Sequence, residues 1–303
     1  MYRKKFIKSL SAAAVFIGLI VFIRPFSGRT GIYVEKFWLD KINSSDKFDI
    51  VLAGDSRMLM DISPEHMASI LTRCRIYNFA FEFTAFENEY LRFIENKLDP
   101  ASNKKTIVLG ISPLALTNQA IKNSQYLNWQ KKQLSNFEKF KIRYFGKILK
   151  AFQPINHKVL FRIMQGESKD FIYYREYRPD GWVASDMIPP QIENSIKMYR
   201  EHYHRNPVDG RLVENLINRI RLWRKKGISV YGFRPPVPQR MRYMEGMLGK
   251  FNEKSFVLLF KKAGGIWLDI NTEQYESYDA SHLKEKEAIR LSIYIAEKLK
   301  MEN

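Results

Sequence analysis

Along this chain, short unbroken apolar runs alternate with segments in which apolar residues recur every three or four positions. Five of the runs predict buried strands: Asp49 to Ala53, Arg75 to Ala80, Thr106 to Ile111, Ser229 to Phe233 and Ile266 to Ile270, each rich in Val, Ile, Leu or aromatic residues. Helical patterns lie between most of them. Ser63-Pro64-Glu65 offers an N-cap serine with proline at the first helical position, followed by Met67, Ile70 and Leu71 on one face. From Phe86 to Leu98, Tyr90, Phe93, Ile94 and Lys97 fall close to helical spacing, and Asp99-Pro100 ends the segment. From Leu212 to Lys226, Leu216, Ile217, Ile220 and Trp223 share a face, and a last helix is expected over Lys284 to Lys300. This alternation predicts an α/β domain: a three-layer sandwich with a central parallel sheet of about five strands and helices on both faces.

The interval between the third and fourth strands is far longer than one crossover helix needs. An insertion is therefore expected over about Leu114 to Asp209. It is basic and aromatic, with Tyr126, Trp129, Phe137, Phe140, Tyr144 and Phe145, then Phe171 to Tyr177 and Trp182. Aromatics at helical spacing usually make core, so a helical subdomain with most of these rings inside is the expectation. The other reading is a cap over the active edge that holds an acceptor. Beyond the fourth strand, Arg234-Pro235-Pro236-Val237-Pro238 must form a rigid loop at the carboxyl edge of the sheet, because proline cannot continue it, the alternative being a polyproline ligand for a partner domain.

The amino terminus carries a different pattern. Arg3, Lys4, Lys5 and Lys8 precede an uncharged run from Leu10 to Ile23, with Arg24-Pro25-Phe26 after it. Residues 1–30 thus predict a cytoplasmic tip and one transmembrane anchor, with residues 46–303 as the extracytoplasmic domain. Ile23 to Phe26 offers no small-x-small cleavage site, which disfavours a cleaved signal peptide. The single cysteine, Cys74, allows no intramolecular disulfide. Hydrophobic residues make up 45% of the chain and aromatics 14%, enough for a full core. The formal charge of +18 is spread along the whole chain, with no zinc-finger spacing and no RNA-recognition motif. A bilayer surface or an anionic envelope polymer fits that charge, and nucleic acid is not an expected partner.

Two polar clusters carry the candidate chemistry. Gly54-Asp55-Ser56-Arg57 follows the first strand, which puts the Ser56 hydroxyl at the carboxyl edge of a parallel sheet, where open α/β folds bind ligands. Asp279-Ala280-Ser281-His282 stands just before the last helix, with carboxylate and imidazole one helical turn apart. Ser56 as nucleophile, His282 as general base and Asp279 as orienting carboxylate form a hydrolytic triad. The bland alternative is an ordinary strand-to-helix turn and an ordinary helix N-cap. His202 and His204 do not form a metal pair, no phosphate loop or dinucleotide fingerprint is present, and no cofactor or metal is expected. Glu82 and Glu87 follow the second strand and read as surface carboxylates, the alternative being that they face the site.

With these motifs at opposite ends of one domain, the chain resembles the SGNH (GDSL-like) hydrolase superfamily, over about residues 46 to 300. Ala53 to Pro64 followed by Tyr77-Asn78-Phe79-Ala80 is similar to its membrane-anchored members found beside membrane-bound O-acyltransferases, among them the D-alanyl transfer protein of teichoic acid synthesis and alginate O-acetylation proteins. The resemblance implies a flavodoxin-like sheet and transfer or removal of an acyl group, most simply acetyl, on a cell-envelope or secreted polysaccharide, with a membrane-bound O-acyltransferase as partner. It also implies an oxyanion hole from the amides of Ser56 and Ala80, the latter standing where the family has glycine. Where family hydrolases have Gly-x-Asn-Asp, this chain has Gly110-Ile111-Ser112-Pro113, so the asparagine donor is missing; Ser112 and Asn118 are the candidates to replace it. Arg57, Asn78, Ser112 and Arg234 are the candidate substrate contacts. The rival reading is a noncatalytic accessory protein that binds the polymer or the acyltransferase, and a third is an esterase for small substrates.

Overall fold

A computed structural model of the chain describes residues 32–146 and 172–301, with residues 8–9, 11–13 and 15–16 near the amino terminus. The first described helix is α1 (Val34–Asn43), and β1 (Ile50–Gly54) follows it. The chain continues through α2 (Ser56–Asp61), α3 (Pro64–Ile70), β2 (Ile76–Asn78), α4 (Asn88–Asn96) and β3 (Thr106–Gly110). All five residues of β1 and of β3 are buried, as expected for strands covered on both faces. After the insertion come α9 (Gly210–Lys225), β6 (Ser229–Phe233), α10 (Gln239–Met247), α11 (Glu253–Lys262), β7 (Ile266–Leu268) and α12 (Glu285–Met301). Ser63 caps α3 as the sequence predicts, its side chain accepting from the His66 amide.

The central sheet has five parallel strands in the order β2-β1-β3-β6-β7, with Ile50 opposite both Ile76 and Thr106, and Gly54 opposite Gly110. This is the doubly wound order in which the chain reverses direction across the sheet between β1 and β3. Helices α2, α3 and α12 pack together beside β1 and β2, while α9 packs with α4, α11 and β6. Two such helix groups are consistent with three layers. At the end of β1 the backbone runs close to its neighbours: a Cβ on Gly54 would lie 2.8 Å from the Gly110 carbonyl oxygen and from the Met58 Cβ. Glycine is needed there for the chain to leave β1 directly into α2.

The insertion departs from the expected helical subdomain. Its described part contains α5 (Asn118–Lys122), α6 (Gln125–Lys131), α7 (Asn136–Phe140) and α8 (Ile192–Arg205), but also an antiparallel hairpin of β4 (Ile172–Tyr177) and β5 (Val183–Ile188). The hairpin lies on α2, with Trp182 Nε1 donating to the Met60 carbonyl at 2.8 Å. Buried Lys41 ties α1 into the same corner by donating to the carbonyls of Ala80 and Gly181, each at 2.9 Å. Tyr126 and Trp182 are buried as expected. Phe137, Phe140, Tyr144 and Phe145 are not: they are 73%, 51%, 65% and 45% exposed. The chain there buries Ile142 instead, so the rings are left on the outer side. The amino-terminal anchor expected over residues 1–30 lies outside the described residues, apart from the few helical positions named above. Among the described residues no helix is long and apolar enough to cross a membrane.

Candidate active site

Ser56 is the first residue of α2, placed at the carboxyl end of β1 by the Gly54-Asp55 turn. Asp55 caps that helix: its Oδ1 accepts from the Arg57 amide at 3.1 Å, and its Oδ2 accepts the Ser112 hydroxyl. From the other end of the chain, His282 Nε2 comes to 2.9 Å from Ser56 Oγ, and His282 Nδ1 to 2.8 Å from Asp279 Oδ2. An ionised carboxylate only accepts, so Nδ1 carries the proton and Nε2 presents its lone pair to the serine hydroxyl. The Asp279–His282 pairing is not a helical turn. Ala280 sits in the left-handed region at φ 61°, and the tight turn aims the Ser281 and His282 amides at Asp279 Oδ1, at 3.0 and 2.7 Å. Such strain in a non-glycine residue persists only where its surroundings over-determine it.

Burial disfavours the charged form of both partners, yet each stabilises the other's charge. Asp279 is held below the usual carboxylate value, mainly by His282 and by the two backbone amides. His282 is raised above the usual imidazole value because the charge and hydrogen bond of Asp279 outweigh its burial, with Asp61 adding to the effect. Asp61, the last residue of α2, was not singled out from the sequence. It is fully buried, its Oδ1 accepts from the Leu283 amide at 2.9 Å, and burial pushes its carboxyl up to about 8 despite the opposing charges of His282 and Arg57. The signal was one acid inside the apolar run Met58-Leu59-Met60-Asp61-Ile62. It links the nucleophile helix directly to the histidine loop.

The residues expected to touch substrate are placed elsewhere. Arg57 is 1% exposed: its Nη2 donates to Glu245 at 2.6 Å and its Nε to Ser281 Oγ at 3.0 Å. Arg234 donates to the same Glu245 and, at 2.8 Å, to the Ile111 carbonyl; Tyr203 adds a third donor to Glu245 at 2.9 Å. These arginines are spent in a buried ion-pair network beneath the site. Asn78, fully buried, donates to the carbonyls of Met58 and Ile62 at 2.8 and 2.9 Å and so fixes the nucleophile helix. Its Oδ1 accepts from the Ala80 amide at 3.0 Å, which commits the amide expected in the oxyanion hole. Ser112 is buried on Asp55, and Asn118 pairs with Asp209 at 2.6 Å. Ser56 remains as the donor its position supplies, since the first amide of a helix has no intrahelical partner.

In front of Ser56 and His282 lies a cavity of about 150 Å³. Its walls come from the segment after β2, from the turn after β3, and from the insertion. Phe83 on the first wall is in the left-handed region at φ 50°, and its neighbour Glu82 pairs with Arg175 of β4 at 2.6 Å. Glu82 therefore faces the site instead of the open surface. Tyr199 and His202 reach the cavity from α8. The insertion thus does form one side of the site, which the sequence left open between cap and packed subdomain. No family model matches the chain, and no curated protein matches it in sequence.

One consequence is a pH test. Only neutral His282 can take the serine proton, so reaction at Ser56 should rise with pH through a midpoint above the ordinary imidazole value. Asp61→Asn keeps an acceptor for the Leu283 amide and removes a carboxyl that, once it ionises at about pH 8, favours the imidazolium. The alkaline part of the limb should then steepen and move to lower pH, because less alkali is needed to free the base where Asp61 would be ionised. The rate of Ser56 modification by an organophosphonate, measured from pH 5 to 9, reads this limb, which belongs to the coupled pair. A limb identical to wild type up to pH 9 would show that Asp61 does not act on His282.

Proposed function

We propose that this protein is a membrane-anchored, extracytoplasmic SGNH-like serine enzyme that transfers or removes an acyl group, most simply acetyl, on a cell-envelope or secreted polysaccharide. The observation that carries the proposal is the Ser56–His282–Asp279 relay at the carboxyl edge of β1, opening on a cavity at the reversal point of the sheet. In the reaction, Ser56 Oγ attacks the ester carbonyl carbon while its proton passes to His282 Nε2. The tetrahedral intermediate expels the alcohol, which takes that proton from His282, and the acyl group stays on Ser56. A sugar hydroxyl or water then gives its proton to His282, attacks the acyl carbon and releases the Ser56 hydroxyl.

With the Ala80 amide engaged, the oxyanion rests on a thin set of donors, and losing one such donor typically lowers the rate by about 10²–10³. This supports a transferase that works with a partner, a membrane-bound O-acyltransferase being the natural one, over a fast free-standing esterase. Proximity of a delivered acyl group can make up what the hole lacks. The basic chain suits an anionic polymer, and the exposed apolar side chains of Val15 and Phe16 on helical backbone suit an anchor. The same thin oxyanion hole favours a second reading, a noncatalytic accessory protein that binds the polymer or the acyltransferase.

The deciding experiment is mass spectrometry of the full chain after exposure to a fluorophosphonate. The proposal expects one adduct, on Ser56, lost in His282→Ala. An unlabelled Ser56 in folded protein would leave the accessory reading in its place.

A further inference from the structure

We propose that the exposed aromatic and basic side of residues 136–145 is a membrane-docking surface, seated on an anionic lipid bilayer beside the point where the amino-terminal apolar run joins the fold. Phe137, Phe140, Tyr144 and Phe145 are all exposed, the first at 73%. They form a set and not a scatter: the Phe140 ring centroid lies 5.0 Å from that of Tyr144 and 5.8 Å from that of Phe145. The backbone favours this grouping. After Phe140 the helix widens to π winding over Lys141–Phe145, which brings residues five apart onto one side. Contiguous exposed apolar surface of this kind marks a contact with something else.

Charge and position say what that is. Between residues 131 and 146 stand Lys131, Lys132, Lys139, Lys141 and Arg143, all exposed, against the single acid Glu138. Glu138 is itself spent in a capping box with Ser135. Aromatic rings interleaved with lysine and arginine are the side-chain set of a bilayer interface, where rings sit among headgroups and cations attract anionic lipid. On the opposite side, Ile142 packs into a buried cluster with Tyr33 and Leu39. Gly146 lies so close to the Tyr33 ring that an added Cβ would be 2.4 Å from it. The patch is thus fixed to Tyr33, directly before α1. Even fully extended, the stretch from Ile23 to Tyr33 spans no more than about 35 Å, so an anchor ending at Ile23 keeps this side of the domain at the bilayer. The inference uses the anchor for location only and owes nothing to the triad.

The test reconstitutes the full chain, in a Cys74→Ser background with Tyr144→Cys carrying an NBD fluorophore, into vesicles of phosphatidylcholine alone or with phosphatidylglycerol. With the anionic lipid, emission should shift to the blue, and lipid spin-labelled near the headgroup should quench it at least threefold. Adding Phe137→Ser, Phe140→Ser and Phe145→Ser together should abolish that quenching while fluorophosphonate labelling of Ser56 stays unchanged. Loss of Ser56 labelling in every form would sink the enzymatic reading and leave this one standing. A fluorophore unquenched in both vesicles, or quenched equally in the triple variant, would overturn the docking surface. A fluorophore shielded from water and from lipid alike would replace the bilayer by a protein partner or a second copy of the chain, and would also overturn it.

Discussion

Ser56→Ala should abolish both fluorophosphonate labelling and acyl transfer, the latter by on the order of 10⁴-fold or more, while the protein melts at the wild-type temperature. The magnitude follows from how a triad works: its members act as a unit, and removing the nucleophile costs about as much as removing all of them. His282→Ala should therefore be nearly as inactive, and the double variant no worse than either. The unchanged melting follows from the contacts, since the hydroxyl of Ser56 is bonded to His282 at the mouth of a cavity and holds no two elements of the core together. Asp279→Asn should also fail, though the shape is kept, because an amide can present a donor to Nδ1 and invert the tautomer that Ser56 requires. Transfer assays on the reconstituted chain, with and without a membrane-bound O-acyltransferase, check all four variants. A Ser56→Ala assembly that still acylates polymer at the normal rate would remove the protein from the enzymes.

Glu245→Ala should destabilise the fold by about 3–5 kcal/mol, the usual result of leaving a buried charge uncompensated. Glu245 is 1% exposed and accepts from Arg57, Arg234 and Tyr203, so its loss leaves buried Arg57 without its carboxylate partner and Arg234 with only Glu253 at 3.7 Å. Burial opposes ionisation of this carboxyl, but Arg234 and Arg57 together hold it below the usual carboxylate range. For a domain of this size the melting temperature should fall by roughly 10 °C, read by calorimetry of the full chain. Reaction at Ser56 should fall as well in whatever remains folded, because Arg57 also donates to Ser281 in the histidine loop. A melting temperature within about 1 °C of wild type would show that water reaches the arginines and that the network is not closed.

The sequence by itself determined the local parts of this protein. Each strand of the sheet was legible as an apolar run, because strands covered on both faces tolerate little else. Of the helices beside them, α3, α4, α9 and α12 were legible from periodicity and from caps such as Ser63-Pro64, whereas α10 and α11 were not. The arrangement of Ser56, His282 and Asp279 was legible too: Gly54-Asp55-Ser56 stands at a strand end, and Asp279 and His282 are close in sequence, so each half of the constellation is a local pattern. What the tertiary structure decided is where the remaining polar groups point. Arg57 next to the nucleophile and Arg234 in a loop at the active edge read as ligand contacts. Glu245, distant from Arg57 in sequence and on a helix between them and the last strand, captures both and turns them inward. Asn78 holds the nucleophile helix and occupies the Ala80 amide, a bond between residues two apart that depends on how the whole segment is seated. Asp61 became a neighbour of His282 because α2 and the histidine loop meet, and Glu82 became a cavity wall because a hairpin from the insertion brings Arg175 to it. Hydrophobic pattern is a property of the residues themselves, whereas the partner of a buried charge is set by which elements the fold brings together, and a single chain of letters does not contain that pairing.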